Sequence, residues 1–221
     1  VQQALGVLEA EGLIDVVHGL GTYVRAPRTR VRRGAARYQW EKASALLPAE
    51  KRSLTGAVEH DTGLPMEELA FEAEYRTEDA SAELAEAFGV NPGTKLLHRT
   101  YQTSVRDEGV ALSLGDSYLI YEMAAANPEL LDANNEPWPG GTHHQLRTIG
   151  IEIDRIVDEI TARPPQGDEI ERLGIRHGVA VLVLRKTSID TTGRVVEVSD
   201  VTMPGDRTVM VYETQLERWP A

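Results

Sequence analysis

The chain of 221 residues contains no cysteine, which excludes disulfides, thiolate metal sites and cysteine nucleophiles and fits a cytoplasmic protein. No apolar run approaches the roughly 20 residues that a membrane helix requires. The opening residues, Val1-Gln2-Gln3-Ala4-Leu5, lack the basic-then-apolar pattern of a secretion signal. They also lack an initiator methionine, so the sequence is expected to begin part-way into a longer protein. Signatures of catalysis are missing too: there is no G-x-S-x-G elbow, no Walker loop and no H-E-x-x-H helix. Gly19-Leu20-Gly21 is too short for a dinucleotide fingerprint and fits a tight turn better. His143-His144 is a weak metal signal, because adjacent helical residues face different ways. No cofactor or metal is therefore expected, and no internal repeat or long low-complexity tract interrupts the chain.

What is present suits a packed protein of one or two domains: 41% hydrophobic and 26% charged residues. The net charge of −12 argues against nucleic acid as a partner, but the charge is unevenly spread. Residues 1–37 hold six arginines against Glu9, Glu11 and Asp15, a net +3, and the rest carries −15. A basic end on an acidic body suggests N-terminal phosphate contacts, or else a solvated basic linker.

Val1, Ala4, Leu5 and Leu8 recur at helical spacing, so a helix is expected over 1–11, closed by Gly12. A β-prone run at 13–17, a Gly-rich turn at 18–21 and a short strand at 22–24 follow. Helix, strand, tight turn and strand make the second half of a winged helix. Residues 26–34 read as a charged linker and 38–47 as a short helix stopped by Pro48. Residues 52–60 read as strand or loop, and 66–77 as extended. A helix is expected over 79–88, capped at Glu78-Asp79 and ended by Gly89. Residues 94–105 and 110–120 form a hairpin pattern. Beyond a polar stretch, 142–149 reads as a short helix, 151–161 as a strand and 166–173 as a helix. Three antiparallel strands, 179–189, 195–203 and 208–216, complete the chain. Long strands with tight turns, and helices between some of them, imply an α+β fold with an antiparallel sheet rather than a Rossmann arrangement.

The opening resembles the GntR superfamily of transcriptional regulators, HutC subfamily. Its recognition helix and wing run V-x-x-A-L-x-x-L-x-x-x-G-L-I, then G-x-G-T-[FY]-V. Here the pattern falls on Val1, Ala4, Leu5, Leu8, Gly12, Leu13 and Ile14, then Gly19, Gly21, Thr22, Tyr23 and Val24. In the family, the residues that read bases lie before the position of Val1, so this stretch alone is not expected to bind DNA specifically. Gln2 and Gln3 on the helix, His18, Gly19, Gly21 and Thr22 on the wing, and Arg25 remain as contacts to groove or phosphate. The remainder is similar to the UTRA effector-binding domain of that subfamily, whose fold is shared with chorismate lyase. Three stretches carry this similarity: 79–99, ending Gly93-Thr94-Lys95-Leu96-Leu97-His98-Arg99; Gly140-Gly141-Thr142; and 174–207, including Gly193-Arg194-Val195-Val196-Glu197 and Pro204-Gly205-Asp206-Arg207. The implied division is winged-helix remainder 1–25, linker 26–48 and effector-binding domain 49–221.

The resemblance also implies a ligand site. Arg99 holds the place of an Arg that faces the ligand in relatives binding sugar phosphates, or it pairs with a strand neighbour. Some relatives carry a second Arg two residues on; Tyr101 stands there, which tells against a phosphorylated ligand. Thr142 opens the short helix as an anion site or as a plain N-cap, and His144 stands where some relatives have Tyr. Glu197 matches an acid that accepts hydrogen bonds from a polar ligand, or it serves a salt bridge. Met203 replaces a ligand-contacting Tyr and favours an apolar cavity. Arg52, Ser53 and Thr55 fall on the family's first ligand-facing loop. The expected ligand thus has one anionic or polar group and an apolar part. The implied protein is a homodimeric, ligand-responsive repressor that binds operator DNA, with no enzymatic activity and no membrane partner. The alternatives are a chorismate-lyase-like enzyme acting on a small carboxylate, and a partner-binding module with a filled interior.

Overall fold

The structure, a computed structural model, describes residues 1–10, 13–17, 19–24, 30–54, 56–106, 108–175 and 178–219. The expected first helix is α1, Gln2–Ala10. Strand β1, Ile14–Val17, pairs antiparallel with β2, Gly21–Val24, as the wing pattern requires. Gly19 and Gly21 both take positive φ in the connecting turn, which an L side chain resists. Gly12, His18 and Arg25 lie outside the described residues.

The stretch read as a linker, 26–48, contains regular structure from Val31 onward. Strand β3, Val31–Gly34, is followed by helix α2, Ala36–Ser44. Residues 52–60, read as strand or loop, are instead largely helical. Helix α3, Ala49–Arg52, follows Pro48, and α4, Ala57–Thr62, ends at Gly63 in the left-handed region. Helices this short cannot show a full amphipathic period, so the pattern gave no warning.

A 3-10 turn at Met66–Glu68 leads into β4, Leu69–Asp79. Helix α5, Ala82–Phe88, starts later than expected, and its cap is Ser81, not Glu78-Asp79. The Leu84 amide donates to Ser81 Oγ at 3.2 Å, while Glu78 and Asp79 still pair along β4. The expected hairpin is β5, Lys95–Val105, with β6, Ala111–Ile120. Helix α6, Tyr121–Ala124, and two 3-10 turns precede α7, Gly141–Thr148. Strand β7, Ile153–Arg163, helix α8, Glu169–Arg172, and strands β8, Val181–Asp190, and β9, Val195–Pro204, follow. The last strand departs from expectation. Instead of a third antiparallel strand over 208–216, β10 covers Thr208–Val211 and pairs parallel with β3.

Six strands form one antiparallel sheet in the order β4-β5-β6-β9-β8-β7, so the expected α+β architecture is the one found. Helix α5 covers one face, where Leu84, Ala85 and Phe88 pack on Leu96 and Val198. On the opposite face, Leu146 of α7 and Ala124 of α6 pack with Leu97, Leu119 and Val196. That second cluster fills only one end of its face. The rest is roofed at a distance by α2, α4 and the 136–140 segment, and a cavity lies between.

Candidate functional site

The cavity has a volume of about 670 Å³, within the range that takes a small organic molecule. A partner-binding module with a filled interior is therefore not what the chain builds. The two-residue period of β9 sends Glu197, Ser199, Val201 and Met203 to the cavity side of the sheet. Register then sets their neighbours: Ser199 lies opposite Ser117 and Lys186, and Val201 opposite Gly115. Lys186, Thr142, His143 and Ser117 give the cavity polar lining; Leu69, Phe71, Leu112 and Met203 give it apolar lining. The Met203 expectation thus falls on the cavity wall.

Glu197 is 2% exposed and satisfies five donors. Its Oε1 accepts from Arg99 Nη2 at 3.1 Å, Ser117 Oγ at 2.8 Å and Thr142 Oγ1 at 3.4 Å. Its Oε2 accepts from Ser188 Oγ at 3.0 Å and pairs with Lys186 Nζ at 2.8 Å. Burial alone would push this carboxyl up; Lys186 and Arg99 overcome it and hold the pKa at about 2.

Arg99 is in a different place from the one expected. It is fully buried behind the cavity wall, donating to Gln145 Oε1 and Ser117 Oγ at 2.7 Å each and to Glu197. It is ion-paired inside the protein, as the pairing alternative expected, but with Glu197 across β6 instead of with a residue of a neighbouring strand. Tyr101 does line the cavity, with its ring centroid 5.7 Å from the Arg99 guanidinium carbon. The Tyr101 hydroxyl donates to Glu136 Oε1 at 3.0 Å, and burial pushes that phenol well above its ordinary pKa. Glu136 also accepts from Tyr75, from Gln145 Nε2 at 2.9 Å and from the Trp138 amide at 2.6 Å.

Thr142 lies on the cavity as expected, but the N-cap of α7 is Gly140, with φ +90°. His144 does not reach the cavity. Its Nδ1 accepts from Trp138 Nε1 at 2.9 Å, which braces the roof segment. The neighbouring His143 lines the cavity instead, and burial holds its pKa below the ordinary value, so it is neutral at physiological pH. Arg52 and Ser53 lie on the wall, and Thr55 lies outside the described residues.

Sequence reasoning missed Lys186, His143, Glu136 and the cations Arg33 and Arg37, which also line the cavity. Lys186 shares a face of β8 with Leu184 and Ser188, but which face meets the cavity depends on the strand order. Arg33 and Arg37 fell in the presumed linker. Arg37 pairs with Asp61 and with Glu41, the latter at 3.0 Å, tying α2 to α4. Among the DNA-contact candidates, Gln2, Gln3, Gly19, Gly21 and Thr22 are all exposed, while His18 and Arg25 lie outside the described residues.

The family model of the UTRA domain matches residues 73–208. An uncharacterised HTH-type transcriptional regulator of Rhizobium meliloti (strain 1021) is 27% identical over 97% of this chain and 78% of its own length. A second, from Streptomyces coelicolor (strain ATCC BAA-471 / A3(2) / M145), is 26% identical over 96% of this chain and 77% of its own length. Among solved structures, a GntR-family transcriptional regulator superposes with a TM-score of 0.69 at 25% identity, covering 98% of this chain and 81% of that one. PhnF from Mycobacterium smegmatis superposes with a TM-score of 0.60 at 20% identity, covering 98% of this chain and 84% of that one, a likeness of fold.

Proposed function

The chain belongs to the UTRA-domain family, and from that premise we propose that it is a DNA-binding transcriptional regulator, a repressor, whose operator affinity is set by a small molecule in the sheet cavity. One observation carries this reading: a ligand-sized cavity and a wing hairpin occur on the same chain. Relatives that align over nearly the whole chain carry the description of HTH-type transcriptional regulators. Thr142, Glu197, Tyr101, Met203, Arg52 and Ser53 form part of the ligand's surroundings. Arg99 acts behind the wall by fixing Glu197, and His144 by fixing Trp138. Gln2, Gln3 and the wing residues Gly19, Gly21 and Thr22, with His18 and Arg25, contact groove or phosphate. Two chains pair so that two heads meet two half-sites of a near-palindromic operator, a function exercised in the cytoplasm. Ligand prefers one arrangement of the pair and shifts the population toward it. A chorismate-lyase-like activity is less well supported, because Arg99 is bonded to Glu197 behind the cavity wall instead of facing a substrate.

The test is a gel shift with the protein as its gene encodes it, on DNA upstream of that gene, with and without a small-molecule extract of host cells. A specific shift that the extract weakens establishes a ligand-released repressor. No specific shift, on that DNA or on a random-sequence library, removes the regulator reading and moves the lyase forward.

A further inference from the structure

The cavity's cations differ in what already holds them. Lys186 shares the single carboxylate of Glu197 with Arg99, and Arg37 pairs with Asp61 and Glu41. Arg52 donates to the Leu47 carbonyl and Arg106 Nε to the Glu67 carbonyl at 2.9 Å. Arg33 lines the cavity from β3 beside the Tyr38 hydroxyl and, like Arg52 and Arg106, has no carboxylate among the described residues within ion-pair distance. Its Nε, like those of Arg37 and Arg52, is buried with no hydrogen-bond partner. Burial first, and Arg37 beside it second, push its pKa below the ordinary value, partly offset by Tyr38 and Asp61. A mostly buried guanidinium with no carboxylate in direct contact is costly, and an oxyanion of the right reach relieves that cost.

We propose that Arg33 is the anion-binding residue of this cavity, taking the carboxylate- or phosphate-class group of a ligand whose apolar body rests on Leu69, Phe71 and Met203. The assignment rests on the cavity being the effector site. It moves the anion pole from the expected Arg99, whose Nη atoms are bonded inside the protein, to a strand that falls between the wing and the sheet in chain order. The ligand then touches both the sheet and the segment leading to the head.

A matched pair of probes separates the two claims. Anilinonaphthalene sulfonate carries one oxyanion on an apolar body, and phenylnaphthylamine carries the body alone. Fluorescence titrations compare the unaltered chain with Arg33→Gln, Arg33→Lys and the cavity-blocking Val201→Trp. The expected result is that Arg33→Gln weakens the sulfonate probe about tenfold or more, as loss of a charge-assisted contact implies, and the neutral probe less than about twofold. Arg33→Lys keeps part of the preference, and Val201→Trp abolishes both. The melting temperature of unliganded Arg33→Gln should equal or exceed that of the unaltered chain, because a buried unpaired cation is removed. If Arg33→Gln weakens both probes alike, or neither, the assignment of Arg33 is overturned while the cavity reading stands. If Val201→Trp leaves both probes bound, they sit outside the cavity and both readings fall. Decanoate and decyl phosphate then compete against the sulfonate probe. Displacement by one of them, lost in Arg33→Gln, names the oxyanion class; displacement by neither overturns the assignment.

Discussion

Replacing Glu197 with Gln should destabilise the chain by roughly 3–5 kcal/mol, the usual cost of removing one partner from a buried ion pair. The structure says why the figure belongs at this site. One carboxylate serves two cations: Arg99, which is fully buried, and Lys186, whose side chain is 15% exposed. A glutamine amide is neutral, and its NH2 end must meet a donor whichever way it is turned. Lys186 can swing toward the cavity and recover water. Arg99 cannot, because Gln145 and Ser117 fix it at 2.7 Å on either side. For a protein of this size the loss corresponds to a fall in Tm of roughly 6–20 °C. Urea unfolding with an unchanged m-value is the assay. The pH dependence gives a second readout. The folded-state pKa of Glu197 is depressed from 4.5 to about 2, so its contribution is fully present above the ordinary carboxylate value. The contribution is lost as pH falls from there toward 2, and amounts to roughly 3 kcal/mol at neutral pH. The gap between the two proteins should therefore narrow as the solution is acidified through that window. Adding Arg99→Met to Glu197→Gln should cost less than Arg99→Met does alone, since it removes the stranded charge. A loss below about 1 kcal/mol at neutral pH, or a gap that stays constant through the acid window, would refute the reasoning.

Three further substitutions probe the frame around the cavity. Ser81→Ala removes the side-chain cap of α5 and should cost about 1 kcal/mol in urea unfolding, with no effect on probe binding in the cavity. Gly140→Ala forces a Cβ to within 2.8 Å of His144 Cβ and 2.9 Å of Arg52 Cδ at a φ of +90°. It should cost roughly 1–3 kcal/mol and weaken binding of both probes, because the roof and α7 must shift; titration of folded variant checks this. Asp61→Asn leaves Arg37 with Glu41 alone, so a loss of roughly 1–3 kcal/mol is expected. Trp40 packs against His60 in a tilted pair with ring centroids 4.5 Å apart, beside Asp61, and its fluorescence should report the loosening of α4.

The sheet was legible because its strands are long and alternate: β5, β6, β8 and β9 all fall close to their expected bounds. The wing was legible for another reason, since glycines at fixed offsets mark a turn that few other residues can make. The roof was not. Helices α3 and α4 are four and six residues long, too short to show a period, and they pack through charged side chains such as Asp61 instead of an apolar stripe. At the site, the residues were legible and their duties were not. Arg99 and Glu197 were each read as ligand contacts with pairing as the alternative. Their partnership depends on β5 and β9 flanking β6, a strand order that no local pattern displays. Lys186 was hidden by the same fact. Arg33 was hidden because arginines beside a proline and a glycine read as a solvated linker, and only the parallel pairing of β3 with β10 brings it indoors.

That pairing leads to a prediction about transmission. Strand β3 is four residues long and, among the described residues, pairs with β10 alone, itself four residues long and outside the main sheet. The contact is close, with the Val31 amide 2.6 Å from the Arg207 carbonyl and a Cβ at Gly34 meeting the Val211 carbonyl oxygen at a tight 3.0 Å. Yet a two-stranded parallel ribbon has few hydrogen bonds to lose, so it belongs to the low-stability end of the molecule. A ligand that grips Arg33 from the cavity adds a tether to the one element in this ribbon that continues toward the wing. Hydrogen exchange should therefore slow at residues 31–34 and 208–211 when the sulfonate probe binds, and not when the neutral probe binds. In Arg33→Gln the slowing with the sulfonate probe should vanish. Strands β8 and β9, central in the sheet, should show little change in any case, because they are already protected. If protection appears on β9 but never on β3, the ligand is held by the sheet alone, and its effect on the head must travel by the pairing of two chains instead of through this strand.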